Sequence, residues 1–210
     1  MVGLNKLFED TLRDVYYAEK QIYKALPKMI KAATHADLKA GFEKHREETQ
    51  GQIERLEKVF EMLEKPARGK KCPAIDGILE EGAELIEEHD RGPGLDAALA
   101  GAAQAVEHYE IACYGTMCCW AEALGRDDLS EILGETLNEE EVTDETLSEL
   151  AISTLNPAAI DGADAEEGDG DDDSAAVPKP ALQKKGVAGR KPDQPSGKMA
   201  DSSKAKTAKT

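Results

Sequence analysis

Val15-Tyr16-Tyr17-Ala18-Glu19-Lys20-Gln21-Ile22-Tyr23 and Val106-Glu107-His108-Tyr109-Glu110-Ile111-Ala112-Cys113-Tyr114 carry Val, Glu and Tyr at the same three places. Around each, apolar residues recur in steps of three and four, the period of a helix with one buried face. The first stripe runs Phe8, Leu12, Val15, then Glu19, then Ile22 and Leu26. The second runs Leu99, Ala103, Val106, then Glu110, then Cys113, Met117 and Trp120. Each carboxylate thus sits mid-helix on the face meant for the core. Two such helices read as copies related by a pseudo-twofold axis, with Glu19 and Glu110 facing each other.

Working outward, the first helix extends from Leu4 to about Ala33, and Pro27 inside it is expected to kink it by removing a backbone hydrogen bond. Thr34-His35-Ala36-Asp37 reads as a capping box opening a second helix, which continues to about Glu64 before Pro66 and Gly69. Residues 65–94 hold a short amphipathic helix, about Ala74 to His89, and the breaker Gly92-Pro93-Gly94. A third long helix spans about Leu95 to Leu124 with Gly125 as its C-cap. Asp127 or Asp128 is expected to cap a fourth, running to about Thr154 before Pro157. A few residues join the helices of each pair, whereas a long segment separates the pairs. The fold class is therefore all-α: a ferritin-like antiparallel four-helix bundle with one long crossover. The expected domains are a bundle over residues 1–155 and a tail over 156–210.

The tail has an acidic run from Asp161 to Asp173 and then a Lys, Pro, Ser and Ala stretch, with almost nothing to build a core. It is expected to be disordered. No helix follows the bundle on this reading, which argues against a many-subunit storage shell. The chain carries a net charge of -17, nearly all of it within the bundle. Such a surface repels nucleic acid and anionic lipid and attracts cations. Lacking an 18-residue apolar run or a signal segment, the chain is expected in the cytoplasm with no membrane contact. Cys72, Cys113, Cys118 and Cys119 show no CxxC pattern and read as small buried thiols. His35, His89 and His108 read as surface residues, and Tyr16, Tyr23, Tyr109 and Tyr114 as packing residues. There is no nucleotide motif, no nucleophile beside a base and no recognisable substrate pocket.

The fourth helix repeats the anomaly, since Leu129, Leu133 and Thr136 lead to Glu140 before Thr143 and Leu147. A single carboxylate on an apolar stripe reads as a boundary residue reaching for water. Three of them, on three helices at one level, read as a metal site, because an unpartnered buried carboxylate costs several kcal/mol. The second helix adds His45 and, three residues on and on the same side, Glu48.

Asp14 through Gln21, His45-Arg46-Glu47-Glu48-Thr49, Ile53-Glu54-Arg55-Leu56, Val106 through Glu110 and Glu140 through Asp144 together resemble the bacterial stress-protein family of YciE and YciF. The resemblance covers about residues 4–153. It implies a homodimer and a centre of two divalent ions, iron first and manganese second. The wider ferritin-like group places a Glu on its first and third helices and Glu-x-x-His on the other two. Here Glu19 and Glu110 match the first pair as terminal ligands. Helix two has the reversed order His45-x-x-Glu48, and helix four has no histidine, offering Glu140 and Asp144. Glu48 and Glu140 are then the bridging candidates, with His45 and Asp144 completing the set. The implied function is a stress protein whose metal pair reacts with peroxide or dioxygen. The alternatives are a non-catalytic bundle that keeps a metal site and, less well supported, iron storage.

Overall fold

The computed structural model of the chain describes residues 2–166; the expectation of disorder over 167–210 lies outside the described residues. Six helices follow one another: α1 (Leu4–Ala32), α2 (Ala36–Met62), α3 (Pro73–Glu88), α4 (Pro93–Ala123), α5 (Asp127–Leu150) and α6 (Asn156–Glu166). α1, α2, α4 and α5 form the bundle, ferritin-like as the loop lengths require, with every neighbouring pair antiparallel. The crossover helix α3 packs outside, against α1 and α4. Gly69 presses the start of the crossover onto α1, where an added Cβ would lie 3.1 Å from Tyr17 Cβ. Gly125 takes φ +70° and closes α4, as a left-handed C-cap should.

The bundle has two apolar ends, each drawing on all four long helices. Near the start of α1, Phe8, Leu12 and Val15 pack with Leu56, Phe60, Tyr114, Met117, Leu129 and Leu133. At the far end, Ile22, Leu26 and Met29 pack with Leu38, Phe42, Leu99, Ala103 and Leu147. Between these ends lies a band of buried polar residues, including Glu19, His45, Thr49, Gln52, Glu107, Glu110, Thr136 and Glu140.

Several boundary expectations need correction. α1 spans the expected residues and continues through the exposed Pro27; the boundaries that change lie elsewhere. α2 is capped by His35, whose Nδ1 accepts the Asp37 N–H at 3.3 Å, and not by Thr34. Thr34 is held instead by Asp96, buried at the start of α4, so His35 is half-buried and structural. No aspartate caps α5; Arg126 precedes it and its guanidinium grips Asp128 at 2.8 Å. The thiols are free but not uniformly buried: Cys72 is, Cys113 and Cys118 are half-buried, and Cys119 is exposed. Helical order also continues beyond residue 155. A π-helical turn, Ala151–Leu155, joins α5 to α6, with the Asn156 N–H bonded to the Ala151 carbonyl. A proline cannot donate and its ring clashes with the carbonyl four residues back. The wider turn makes room for Pro157. Leu155 is buried in the core and Gly162 reaches Pro93, so α6 covers the end of α4. A short helix therefore does follow the bundle.

Asp96 ties the α1–α2 turn to α4. Its carboxylate accepts the Thr34 N–H at 2.7 Å, the His35 N–H at 2.9 Å and the Thr34 hydroxyl. Charge-assisted hydrogen bonds of this kind contribute more than neutral ones, and their loss strands two backbone donors. Asp96→Ala is expected to lower unfolding free energy by about 2–4 kcal/mol in urea titration, with little change in helix content; a loss below 0.5 kcal/mol would refute this role.

Candidate metal centre

The polar band is built by one turn from each long helix. α1 supplies Glu19, α2 His45, α4 Glu107 and Glu110, and α5 Glu140. Four of these, His45, Glu107, Glu110 and Glu140, offer ligand atoms that all lie within 4.8 Å of one another. His45 Nε2 is 3.5 Å from Glu107 Oε1, and Nδ1 is 4.0 Å from Glu140 Oε2. Glu19 joins them from the side: its Oε1 accepts the Tyr114 hydroxyl, and its Oε2 has no protein partner.

The site lacks donors. Both oxygens of Glu110, both of Glu140, Glu107 Oε2 and both nitrogens of His45 are buried without a hydrogen-bond partner. Arg55, whose charge Glu19 feels, is engaged with Glu139 and donates to Thr136 Oγ1 at 2.9 Å. Gln52 also turns to Glu139, at 3.1 Å. Burial, reinforced by the neighbouring carboxylates, therefore pushes Glu19, Glu110 and Glu140 well above the usual carboxylate range. Glu107 is raised to about 8, again by burial first. His45 is lowered to about 4 by burial and then by the Lys44 charge, which keeps the imidazole neutral and able to ligate. Thr49 donates to the His45 carbonyl at 2.7 Å and fixes that turn of α2.

Of the residues expected from the sequence, the structure brings His45, Glu110 and Glu140 together and sets Glu19 against them. Glu48 lies at the edge. Its Oε1 takes the Lys44 ammonium, while Oε2 is buried and unpartnered, and its charge is felt by Glu107 and Glu140. Asp144 is half-buried and pairs with His108 Nε2 at 3.1 Å, with Gln104 at 3.4 Å, outside the four-residue group.

Glu107 was not expected. The buried face of α4 runs Leu99, Ala103, Glu107, Glu110, Tyr114, Met117, Ala121, one position round from the stripe read through Cys113 and Trp120, which are half-buried. Matching the repeat set Tyr16 opposite Glu107 and hid it. The signal was present nonetheless, since Glu107 and Glu110 stand three apart, as His45 and Glu48 do.

A cavity of about 180 Å³ opens beside this band, bounded by α1, α2, α4 and α5 with Leu79 of α3 and reaching His45, Glu48 and Glu107. No motif in the sequence pointed to it. Its walls come from residues far apart in sequence that are individually ordinary core side chains.

The family described as "Domain of unknown function (DUF892)" matches residues 3–160. Protein YciF of Escherichia coli strain K12 is 44% identical over 160 residues, 76% of this chain and 96% of that protein. The crystal structure of the E. coli stress protein YciF superposes with a TM-score of 0.71, covering 74% of this chain and 99% of that one. YcfI of Rhodopseudomonas palustris, provisionally described as a structural protein, is 51% identical with a TM-score of 0.69 over 70% of this chain and 94% of that one.

A group whose folded pKa is raised binds its proton more tightly folded than unfolded. Its stabilising effect is complete below the unfolded pKa of about 4.5 and is lost as pH rises through the folded value. With metal removed by chelator, the protein is expected to lose stability as pH rises through about 8, where Glu107 titrates, with His45, lowered to about 4, offsetting one carboxylate below its unfolded pKa of about 6.5. Each proton released adds a slope of about 1.4 kcal/mol per pH unit. Calorimetry between pH 5 and 9 reads this, and a divalent ion should flatten the profile. A chelated protein that is as stable at pH 9 as at pH 6 would count against the buried carboxylate layer.

Proposed function

The chain belongs to the DUF892 family, and from that premise we propose that it is a ferritin-like protein of the stress response holding two divalent ions, iron or manganese, in its polar band. One observation carries this: the two oxygens of Glu110 and the two of Glu140 are buried with no donor to satisfy them. Nothing short of protons or cations makes such a group stable. Charge supports two ions. Glu19, Glu107, Glu110 and Glu140 carry four negative charges when ionised, His45 carries none, and two divalent cations balance them. A donor set of carboxylates with one imidazole suits iron and manganese.

The ligands on this reading are Glu19, His45, Glu107, Glu110 and Glu140, with Glu48 in reach through its free Oε2. Tyr114 positions Glu19 by donating to Oε1, which leaves Oε2 for a metal. Asp144, held by His108, lies outside the ligand set. The apolar ends flank the band above and below, and the cavity is its approach on the His45 side. A bound iron or manganese pair would supply two-electron reduction of peroxide or dioxygen. The assembly is taken as a homodimer, as the family resemblance implies. α6 removes the earlier argument against a storage shell, and light scattering separates two subunits from many.

A second reading, a bundle that keeps the metal for structure alone, draws on the description of the Rhodopseudomonas relative. Titration with Fe(II) and Mn(II) followed by elemental analysis is expected to give two ions per chain. Glu107→Ala and Glu110→Ala should each weaken binding by at least about tenfold, and Asp144→Ala should keep both ions. The loaded protein should consume hydrogen peroxide. Metal binding without consumption selects the structural reading, and no binding at micromolar metal ends both.

A further inference from the structure

Where the crossover meets α4, outside the polar band, lies a second cluster of reactive side chains. Cys72 is the N-cap of α3, and its Sγ lies 3.1 Å from the Tyr109 hydroxyl. The same hydroxyl meets the Cys113 thiol, one turn further along α4. Two free thiols, one on the crossover and one on a bundle helix, thus share a single phenol. The other two thiols have no such neighbour. Cys118 donates to the Ser130 carbonyl at 3.7 Å, and Cys119, next to it on the helix, points a different way and is exposed. The shared pair is unequal in access and in freedom. Cys72 is 6% exposed and Cys113 is half-buried, so a small solute reaches Cys113 first. Cys113 is fixed within α4, whereas Cys72 lies in extended backbone, φ -108° and ψ 106°, at the end of the non-helical segment 63–72. That segment is the part able to shift and bring the sulfurs together.

We propose that Cys72 and Cys113 are a redox pair that hydrogen peroxide closes to a disulfide, stapling the crossover to α4. The Cys113 sulfur attacks one oxygen of the peroxide, the O–O bond breaks, and the departing hydroxide takes the thiol proton as water. The sulfenic acid left on Cys113 is attacked by the Cys72 sulfur. Its S–O bond breaks, and the hydroxide leaves with the Cys72 proton as a second water. The two thiols lose two electrons and two protons, and one peroxide becomes two waters. Tyr109 must swing aside before the sulfurs reach bonding distance, about 2.05 Å. Being half-buried, it has solvent to turn into. Burial pushes the Cys113 thiol up, so closure is slow and answers to sustained peroxide. The pair stands apart from the centre described under Proposed function: neither cysteine belongs to the polar band, and closure needs no bound ion.

The test exposes the full chain, fully reduced, to hydrogen peroxide and blocks the remaining thiols with iodoacetamide before tryptic mass spectrometry. Trypsin cuts after Lys71, Arg91 and Arg126, so Cys72 falls in one peptide and the other three cysteines in another. The two peptides should be found joined, two hydrogens below their summed mass, in chains that run as monomers on a non-reducing gel. Dithiothreitol should separate them. Cys72→Ala and Cys113→Ala should each abolish the link, whereas Cys118→Ala and Cys119→Ala should leave it. If Cys72→Ala does not fold, Cys113→Ala at the half-buried position carries the test alone. The staple closes a loop of about 40 residues and should raise the midpoint of thermal unfolding by about 5–10 °C, reversibly with dithiothreitol. Exposed Cys119 reports that the peroxide has acted. No joined peptides once Cys119 is oxidised, or joined peptides that survive Cys113→Ala, overturns the pair. A linked chain that unfolds at the same temperature as the reduced one overturns the staple.

Discussion

Four buried glutamates in one layer, with a single tyrosine hydroxyl as their donor, set the terms for the rest of the molecule. Each ionised carboxylate taken out of water costs several kcal/mol unless a cation or proton accompanies it. The layer can persist only where apolar packing elsewhere is secure. The bundle meets this by placing an apolar cluster at each end, each drawing on all four long helices. The long helices α1 and α4 follow from the same need, since they must pass through one cluster, the polar layer and the second cluster. Short loops within each hairpin keep the turns of Glu19, His45, Glu110 and Glu140 at one level.

The layer is not symmetric, although the sequence of α1 and α4 suggests that it should be. Tyr114 is fully buried and donates to Glu19, whereas its counterpart Tyr23 stays half-buried, with the Arg46 guanidinium 4.5 Å above its ring. Tyr16 packs edge-on against Phe60 at 5.4 Å and donates to Glu57, whereas its counterpart Glu107 is in the layer. One side of the layer is closed by Gln52, Arg55, Thr136 and Glu139, where Glu139 accepts from the Gln52 amide and the Arg55 guanidinium and Arg55 also donates to Thr136. The other side, at His45, Glu48 and Glu107, meets the cavity. Departure from the repeat is what brings Glu107 to the side of the layer that meets the cavity.

The helices were legible because each long one combines a clean three-and-four periodicity with a punctuating loop. Glu19, Glu110 and Glu140 were legible because each breaks such a stripe. Glu107 was not, because α4 is apolar nearly all round, and its many Ala residues leave the buried face uncertain by one position. The cavity and the Asp96 clamp were not legible either. Both depend on side chains brought together from different helices, and neither leaves an anomaly in any single stretch. α6 was missed for a different reason: Pro157 and the acidic composition after it point to an end. One π-helical turn is enough to carry the helix past the proline.

The two apolar clusters also show what the polar layer is for. Since both engage every long helix, the bundle does not need the layer in order to assemble. Well-packed hydrophobic residues in place of buried charged groups are often neutral or stabilising by about 1–4 kcal/mol. A sequence shaped by stability alone would carry Leu or Ile at positions 19, 107, 110 and 140. Local rules are broken together at one level of the fold, beside a cavity, and nowhere else in the buried core at that density. Such a concentrated departure from good packing is what is expected where function or strain, and not stability, sets the sequence. The missing donors narrow its chemistry, because four carboxylates and a neutral imidazole in one layer are satisfied by cations or by protons and, one tyrosine hydroxyl apart, by nothing else in the fold.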